Sequence, residues 1–144
     1  VTTAPAEAVI EKPSRSLLPP RDRRILLAED NSVNQKVALA ILTRLGYPVE
    51  VVNNGLEALN SCLKTPFDVI FMDVQMPVLD GITATERLRR LHIQPQPWII
   101  ALTANAFRED RDRCLAAGMD DFLSTPVRET DFVRALVRYA LTRR

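Results

Sequence analysis

Residues 69–81 read Val69-Ile70-Phe71-Met72-Asp73-Val74-Gln75-Met76-Pro77-Val78-Leu79-Asp80-Gly81. Four consecutive apolar residues stop at an acid. An unbroken apolar run of this length implies a strand buried on both faces, as in a parallel sheet covered by helices. The next strand of such a sheet is reached through a crossover helix, and Asp80 before Gly81 supplies its cap. The stretch predicts a strand over Phe67–Met72, a loop, and a helix from about Ile82 to Leu91.

The same alternation continues outward in both directions. Upstream, Ile25–Ala28 reads as a buried strand, followed by a helix that Asn31 or Ser32 can cap. Val33, Val37, Ile41, Leu42 and Leu45 recur at helical spacing, and Gly46 ends the pattern. Val49–Val52 is a second strand. Gly55–Leu63 is a helix expected to turn Leu56, Leu59 and Leu63 inward. Downstream, Trp98–Leu102 is a fourth strand, and Ala106–Ala117 is a helix closed by Gly118. Phe122-Leu123 is the heart of a fifth strand. Thr130 opens a last helix with Phe132, Val133, Leu136, Val137, Ala140 and Leu141 on one face. Five strands alternating with five helices predict a doubly wound α/β fold, since crossovers are right-handed. The five-stranded order expected is 2-1-3-4-5, the flavodoxin-like arrangement, with ligands bound beyond the carboxyl ends of strands 1 and 3.

Composition narrows the function. A formal net charge of +1 argues against a strongly basic nucleic-acid binder. No apolar run approaches the ~20 residues of a membrane span. The four glycines, Gly46, Gly55, Gly81 and Gly118, cannot form a dinucleotide-binding or phosphate-loop fingerprint. Cys62 and Cys114 fall in helical patterns without metal-ligand spacing and read as free thiols of a reducing compartment. Residues 1–24 hold four of the ten prolines, show no periodicity and read as a flexible linker. The folded domain is expected over 25–144, and a chain that opens at Val1 reads as a piece of a longer protein.

The strand ends carry the chemistry. Strand 1 ends in Glu29-Asp30, strand 3 in Asp73, strand 4 in Thr103 and strand 5 in Ser124-Thr125-Pro126. A single acid after a strand is usually a helix cap. Three converging carboxylates repel one another unless a cation sits among them, and a hard divalent ion with oxygen ligands satisfies them.

Four segments, ILLAEDNSVNQKVA, VIFMDVQMPVLDG, ALTANA and MDDFLSTPV, resemble in order and spacing the receiver domain of two-component response regulators. The resemblance covers about residues 25–142, and the AEDN opening followed by NQ is most similar to receivers fused to hybrid sensor histidine kinases. It implies that Asp73 accepts a phosphoryl group from a partner's phosphohistidine. It further implies Mg²⁺, with Mn²⁺ as substitute, held by Glu29, Asp30, Asp73 and the backbone carbonyl of Gln75. Thr103 would then donate its hydroxyl to a phosphoryl oxygen and Phe122 would act as an aromatic switch through packing alone. The implied partners are a histidine kinase core and a histidine phosphotransfer domain, with no nucleic-acid or membrane contact by this fragment. The implied compartment is the cytoplasm, with a parent free to be membrane-anchored. The domain itself is expected to be a phosphoacceptor rather than a turnover enzyme.

One position departs from the family. A lysine normally precedes the proline after strand 5, and this chain has Thr125. The chain's three lysines, Lys12, Lys36 and Lys64, all precede strand 3. Arg128 is the nearest cation in sequence, and a guanidinium is not an equivalent point charge. Removing one preorganised donor from such a site costs roughly 10²–10³ in rate. A phosphorylation-impaired receiver working as a protein-interaction module is therefore the alternative. A haloacid-dehalogenase-type phosphatase would need a second acid two residues on, where Gln75 stands.

The remaining polar residues have simpler readings. His92, the single histidine, reads as a surface-loop residue, so a phosphodonor histidine lies elsewhere. Arg108, Arg111 and Arg113 alternate with Glu109, Asp110 and Asp112, as on a solvated or partner-facing helix surface. Asn34 faces the crevice, Trp98 reads as packing, and Asp120 and Asp121 read as turn residues.

Overall fold

The structure, a computed structural model, describes residues 15–105 and 107–143. Five strands, β1 (Ile25–Ala28), β2 (Val49–Val52), β3 (Val69–Asp73), β4 (Trp98–Thr103) and β5 (Asp121–Ser124), pair in parallel in the order β2-β1-β3-β4-β5. Five helices intervene: α1 (Ser32–Arg44), α2 (Gly55–Lys64), α3 (Gly81–Arg90), α4 (Arg108–Ala117) and α5 (Glu129–Thr142). The expected doubly wound flavodoxin-like sheet is the one observed. Among the described residues no helix is long and apolar enough to cross a membrane.

The unbroken apolar strands divide their side chains by the period of two. Ile25, Leu27, Val69, Phe71, Ile100 and Leu102 pack beneath α1 and α5. Leu26, Ala28, Ile70, Met72, Ile99 and Ala101 pack beneath α2, α3 and α4. The ring of Phe71 meets Phe132 of α5 edge-on, with centroids 5.1 Å apart. Every strand residue from Val69 to Met72 is buried, which explains why the run carries no polar break.

Several details depart from the expectations. Strand β3 begins at Val69; Phe67 is buried just before it. The α2 face is rotated: Gly55, Ala58, Leu59 and Cys62 are buried, while Leu56 and Leu63 are exposed. The rotation follows from contact at the helix start, where the Gly55 N–H donates to the Leu79 carbonyl at 2.9 Å. A Cβ at Gly55 would lie 2.4 Å from that oxygen, so the inward position there belongs to glycine. In α1, Val33 and Val37 are exposed although they continue the apolar spacing, and Leu141 of α5 is exposed likewise. Asn31, not Ser32, caps α1 by accepting from the Val33 and Asn34 N–H groups. Helix α5 starts at Glu129, where Asp131 accepts from the Arg128 N–H at 2.9 Å. Helix α4 starts at Arg108 after an N-cap at Phe107; Ala106, where it was expected to begin, lies outside the described residues.

Residues 1–14 of the expected linker also lie outside the described residues. Over 15–24 the chain is docked. Leu18 joins the core beside Tyr47 and Tyr139, and the Tyr47 hydroxyl donates to the Pro19 carbonyl at 2.7 Å. Arg15 and Arg44 both pair with Glu129 at the start of α5. Proline content concealed the apolar Leu17-Leu18-Pro19 stretch that finds this surface.

The loop after β3 is pinned at both ends. Its Val78 has φ = 71°, and the Leu79 N–H donates to the Pro77 carbonyl at 2.7 Å across a tight three-residue turn. The Gly81 N–H donates to the Val74 carbonyl at 3.0 Å, and Asp80 caps α3 through the Thr83 N–H at 2.7 Å. A Cβ on Gly81 would lie 2.1 Å from the Asp73 carbonyl oxygen. We expect Gly81→Ala to lower stability by about 1–3 kcal/mol by forcing these backbones apart. Urea denaturation of the two proteins checks this; equal midpoints would mean that α3 starts elsewhere in solution.

Candidate functional site

Strand register brings the acids together. Ala28 is level with Met72 across the β1–β3 pair, so Glu29 and Asp73 leave the sheet side by side. One carboxylate oxygen each from Glu29, Asp30 and Asp73 lie within 4.8 Å of one another. Glu29 is buried, Asp73 half-buried and Asp30 exposed. The Glu29 carboxylate accepts from the Asn31 N–H at 3.1 Å, and its main-chain carbonyl accepts from the Gln35 amide. Asp73 accepts from the Gln75 N–H at 3.1 Å.

Burial is the largest cause pushing the Asp73 carboxyl up to about 8, followed by a hydrogen bond with Glu29 and by repulsion from Glu29 and Asp30. The Gln75 N–H pulls the other way. A carboxyl so far above its ordinary range marks a buried acid with like charges beside it.

Glu29 and Asp73 floor a cleft of about 220 Å³ that is also lined by Asn34, Gln75, Thr103, Asn105, Asp110, Arg113 and Thr125. Asn34 therefore faces the crevice as expected. Thr103 is buried at the cleft wall, but its hydroxyl donates to the Asn105 carbonyl at 2.9 Å and accepts from the Asn105 N–H at 3.1 Å. The hydroxyl is engaged within its own loop rather than with Asp73. Thr125 is held by its N–H on the Thr103 carbonyl at 2.9 Å, and the Thr125–Pro126 peptide is cis. Phe122 is not part of the cleft lining; it sits on the outer side of β5 with the Arg111 guanidinium 5.1 Å from its ring centroid.

Arg128, the nearest cation in sequence to Thr125, lines the outer surface with Phe122 and lies 3.6 Å from Asp131. Arg113 lines the cleft instead, together with its neighbour Asp110 one turn earlier on α4. Arg113 is solvent-exposed, as the solvated or partner-facing reading of this helix expects, but it also borders the cleft. The only signal available was the i, i+3 spacing of Asp110 and Arg113, which puts both on one side of the helix. Asp120 also exceeds a turn role: it accepts from the Ile99 N–H at 2.8 Å and from Arg89 at 2.9 Å, joining β4 to α3. Asp121 pairs with Arg138 of α5 at 2.7 Å. His92 is exposed after α3, as expected.

Beside the cleft runs a second, apolar groove of about 270 Å³ lined by Val33, Val37, Ala38, Pro126, Val127 and Phe132. The exposed Val33 and Val37 lie one turn apart on α1.

Comparison with known proteins agrees with this geometry. The hybrid signal transduction histidine kinase H of Dictyostelium discoideum is 49% identical over 109 residues, covering 73% of this chain and 8% of that protein. The chain spans only between 5% and 20% of the length of curated histidine kinases and two-component proteins such as these. The receiver domain of sensor histidine kinase PA1611 from Pseudomonas aeruginosa, which has a magnesium ion coordinated in its active-site cleft, is 44% identical. It matches 83% of this chain and 98% of its own, with a TM-score of 0.76. The receiver domain of the Saccharomyces cerevisiae response regulator Ssk1, solved with the histidine phosphotransfer protein Ypd1, is 28% identical. Its TM-score is 0.80 over 85% of this chain and 92% of that one. The family model of the response regulator receiver domain matches residues 25–137, from the first residue of β1 into α5, and this chain belongs to that family of two-component signalling domains.

Proposed function

We propose that this receiver accepts a phosphoryl group on Asp73 from the phosphohistidine of a partner, within a parent that is a hybrid histidine kinase. The observation that supports it is the convergence of Glu29, Asp30 and Asp73 at the end of two central strands, with Asp73 at the floor of an open cleft. The donor set is entirely oxygen and triply acidic, which fits Mg²⁺, with Mn²⁺ as substitute. Glu29, Asp30, Asp73 and the Gln75 carbonyl would hold the ion. Bound there, it supplies charge neutralisation for phosphoryl oxygens.

The chain's own residues do the rest. A carboxylate oxygen of Asp73 forms the new O–P bond as the partner's P–N bond breaks, and the released electron pair stays on the imidazole, which takes up a proton. Thr103 donates its hydroxyl to a phosphoryl oxygen once it gives up the Asn105 carbonyl. Phe122 follows by packing, since phenylalanine has no hydroxyl to anchor inward. Thr125 presents a hydroxyl where the family has a lysine. The partner docks on the apolar groove of α1 and the β5–α5 loop, which shares Glu29, Asn34 and Thr125 with the cleft. A histidine phosphotransfer domain or kinase core presenting an apolar helix face fits it, and the Ssk1 receiver is known in complex with a histidine phosphotransfer protein. The cytoplasm is the compartment that the unpaired Cys62 and Cys114 suit. The second reading, an impaired receiver that works by contact alone, draws on the uncharged Thr125 at the cleft wall.

Intact mass after incubation with Mg²⁺ and acetyl phosphate separates the two. We expect a phosphoryl adduct on the parent that is absent from Asp73→Asn, and a rate roughly 10²–10³ higher in Thr125→Lys. An adduct seen only in Thr125→Lys would favour the contact-only reading.

Proton linkage gives an independent check. In the unfolded chain the Asp73 carboxyl titrates near its ordinary value of about 4. Between about 4 and 8 the folded protein holds a proton there that the unfolded chain has lost, so this group's contribution to stability falls as pH rises through that window. With chelator present, the thermal midpoint of the parent should therefore drop relative to Asp73→Asn between pH 5 and pH 8.5. Added Mg²⁺, which favours the ionised form, should close the gap.

For the docking groove, Val37→Asp should slow transfer from a phosphorylated histidine phosphotransfer domain by about tenfold more than it slows labelling by acetyl phosphate. Equal slowing of both would place the partner on another face.

A further inference from the structure

Thr125 leaves the β5 side of the cleft without a charge, yet the cleft is not without a cation. Among the described residues, Arg113 of α4 is the one basic side chain in its lining. Two other nearby guanidinium groups are turned elsewhere. Arg111 covers the Phe122 ring, and Arg128 lies beside Asp131 on the outer surface.

We propose that Arg113 is the cationic contact for the phosphoryl group held at Asp73, approaching from the α4 wall of the cleft. The inference rests on the phosphoacceptor reading and adds to it a residue for anion recognition. A guanidinium offers five N–H donors in a planar fork that matches the oxygens of a tetrahedral anion. Its present partner holds it weakly. The Asp110 carboxylate is 3.8 Å away in an i, i+3 pair, and the Arg113 side chain is 67% exposed. Exposed pairs of this kind contribute little, so an incoming phosphoryl dianion can draw Arg113 away from Asp110 at small cost. Asp110, which also lines the cleft, keeps the guanidinium at the rim while the site holds no anion. A long, flexible side chain on a helix can thus stand in for a shorter reach from β5.

Fluoroberyllate, a stable mimic of the phosphoryl group, tests this without turnover. Its affinity would be measured by ¹⁹F NMR titration at saturating Mg²⁺, with Mg²⁺ alone titrated separately. The proteins would be the parent, Arg113→Gln, Arg108→Gln and the double variant Arg113→Gln/Thr125→Lys. We expect Arg113→Gln to bind fluoroberyllate about tenfold or more weakly, the loss of one charge-assisted contact. Its affinity for Mg²⁺ should be unchanged or tighter, because a positive charge beside the acids has been removed. Arg108→Gln, which deletes an exposed charge from the same helix, should stay within about twofold of the parent, and Thr125→Lys should restore binding in the Arg113→Gln background.

Equal fluoroberyllate affinity in parent and Arg113→Gln would overturn the proposal while leaving the phosphoacceptor reading intact. So would a parallel fall in Arg108→Gln, which would assign the effect to the helix's general field, or a weakened Mg²⁺ affinity in Arg113→Gln, which would assign it to a disturbed acid cluster. A parent that binds Mg²⁺ but forms no fluoroberyllate adduct would overturn both readings together.

Discussion

Everything at the functional end of this domain depends on mutual repulsion among Glu29, Asp30 and Asp73. Parallel pairing of β1 with β3 forces the first two residues beyond one strand and the last residue of the other into the same space. The sheet core cannot yield to relieve it, because Leu26, Leu27, Ile70, Phe71 and Met72 are buried beneath helices on both faces. Burial and that repulsion together push the Asp73 carboxyl far above its usual range. A site in that condition is poised for a cation and then for the anion that the cation neutralises.

The surrounding loops are organised around that cluster. Gly81 lets α3 begin against the Asp73 carbonyl, and Gly55 lets α2 begin against the Leu79 carbonyl, so the β3–α3 loop is clamped between two helix starts. On the other side, Thr103 and Thr125 are joined by a main-chain hydrogen bond, which ties the β4 and β5 exits together. The cleft wall carrying Thr103, Asn105, Asp110 and Arg113 belongs to β4 and α4, and α4 also carries the Arg111 that covers Phe122. Helix α4 thus borders both the cleft and the outer side of β5.

Most of the fold was legible because two simple periods ran without conflict. The strands are continuous apolar runs of the right length, the helices are bounded by caps and by Gly46 and Gly118, and the order followed from right-handed crossovers. Where the pattern misled, a local contact overrode it. Leu56 and Leu63 satisfied helical spacing, but the close approach at Gly55 turned Ala58 and Cys62 inward in their place. Val33 and Val37 continued the core stripe of α1 in sequence, yet they emerge at the cleft end, where none of the described elements covers them. Leu18 and Pro19 were masked by the composition around them and are packed against Tyr47.

The sequence by itself determined the element order, the family and the identity of the acids, since these rest on residue type and spacing along the chain. It also exposed the threonine at 125, because an absent lysine is visible without coordinates. Only the tertiary structure decided which cations face the acids. Arg128 is three residues from Thr125 but lies on the outer surface, whereas Arg113 is twelve residues away and lines the cleft. The physical reason is that β5 exposes opposite sides on leaving the sheet, while α4 packs alongside and turns one face toward the strand ends. Distance along the chain carries no information about that juxtaposition; packing of α4 against the sheet does.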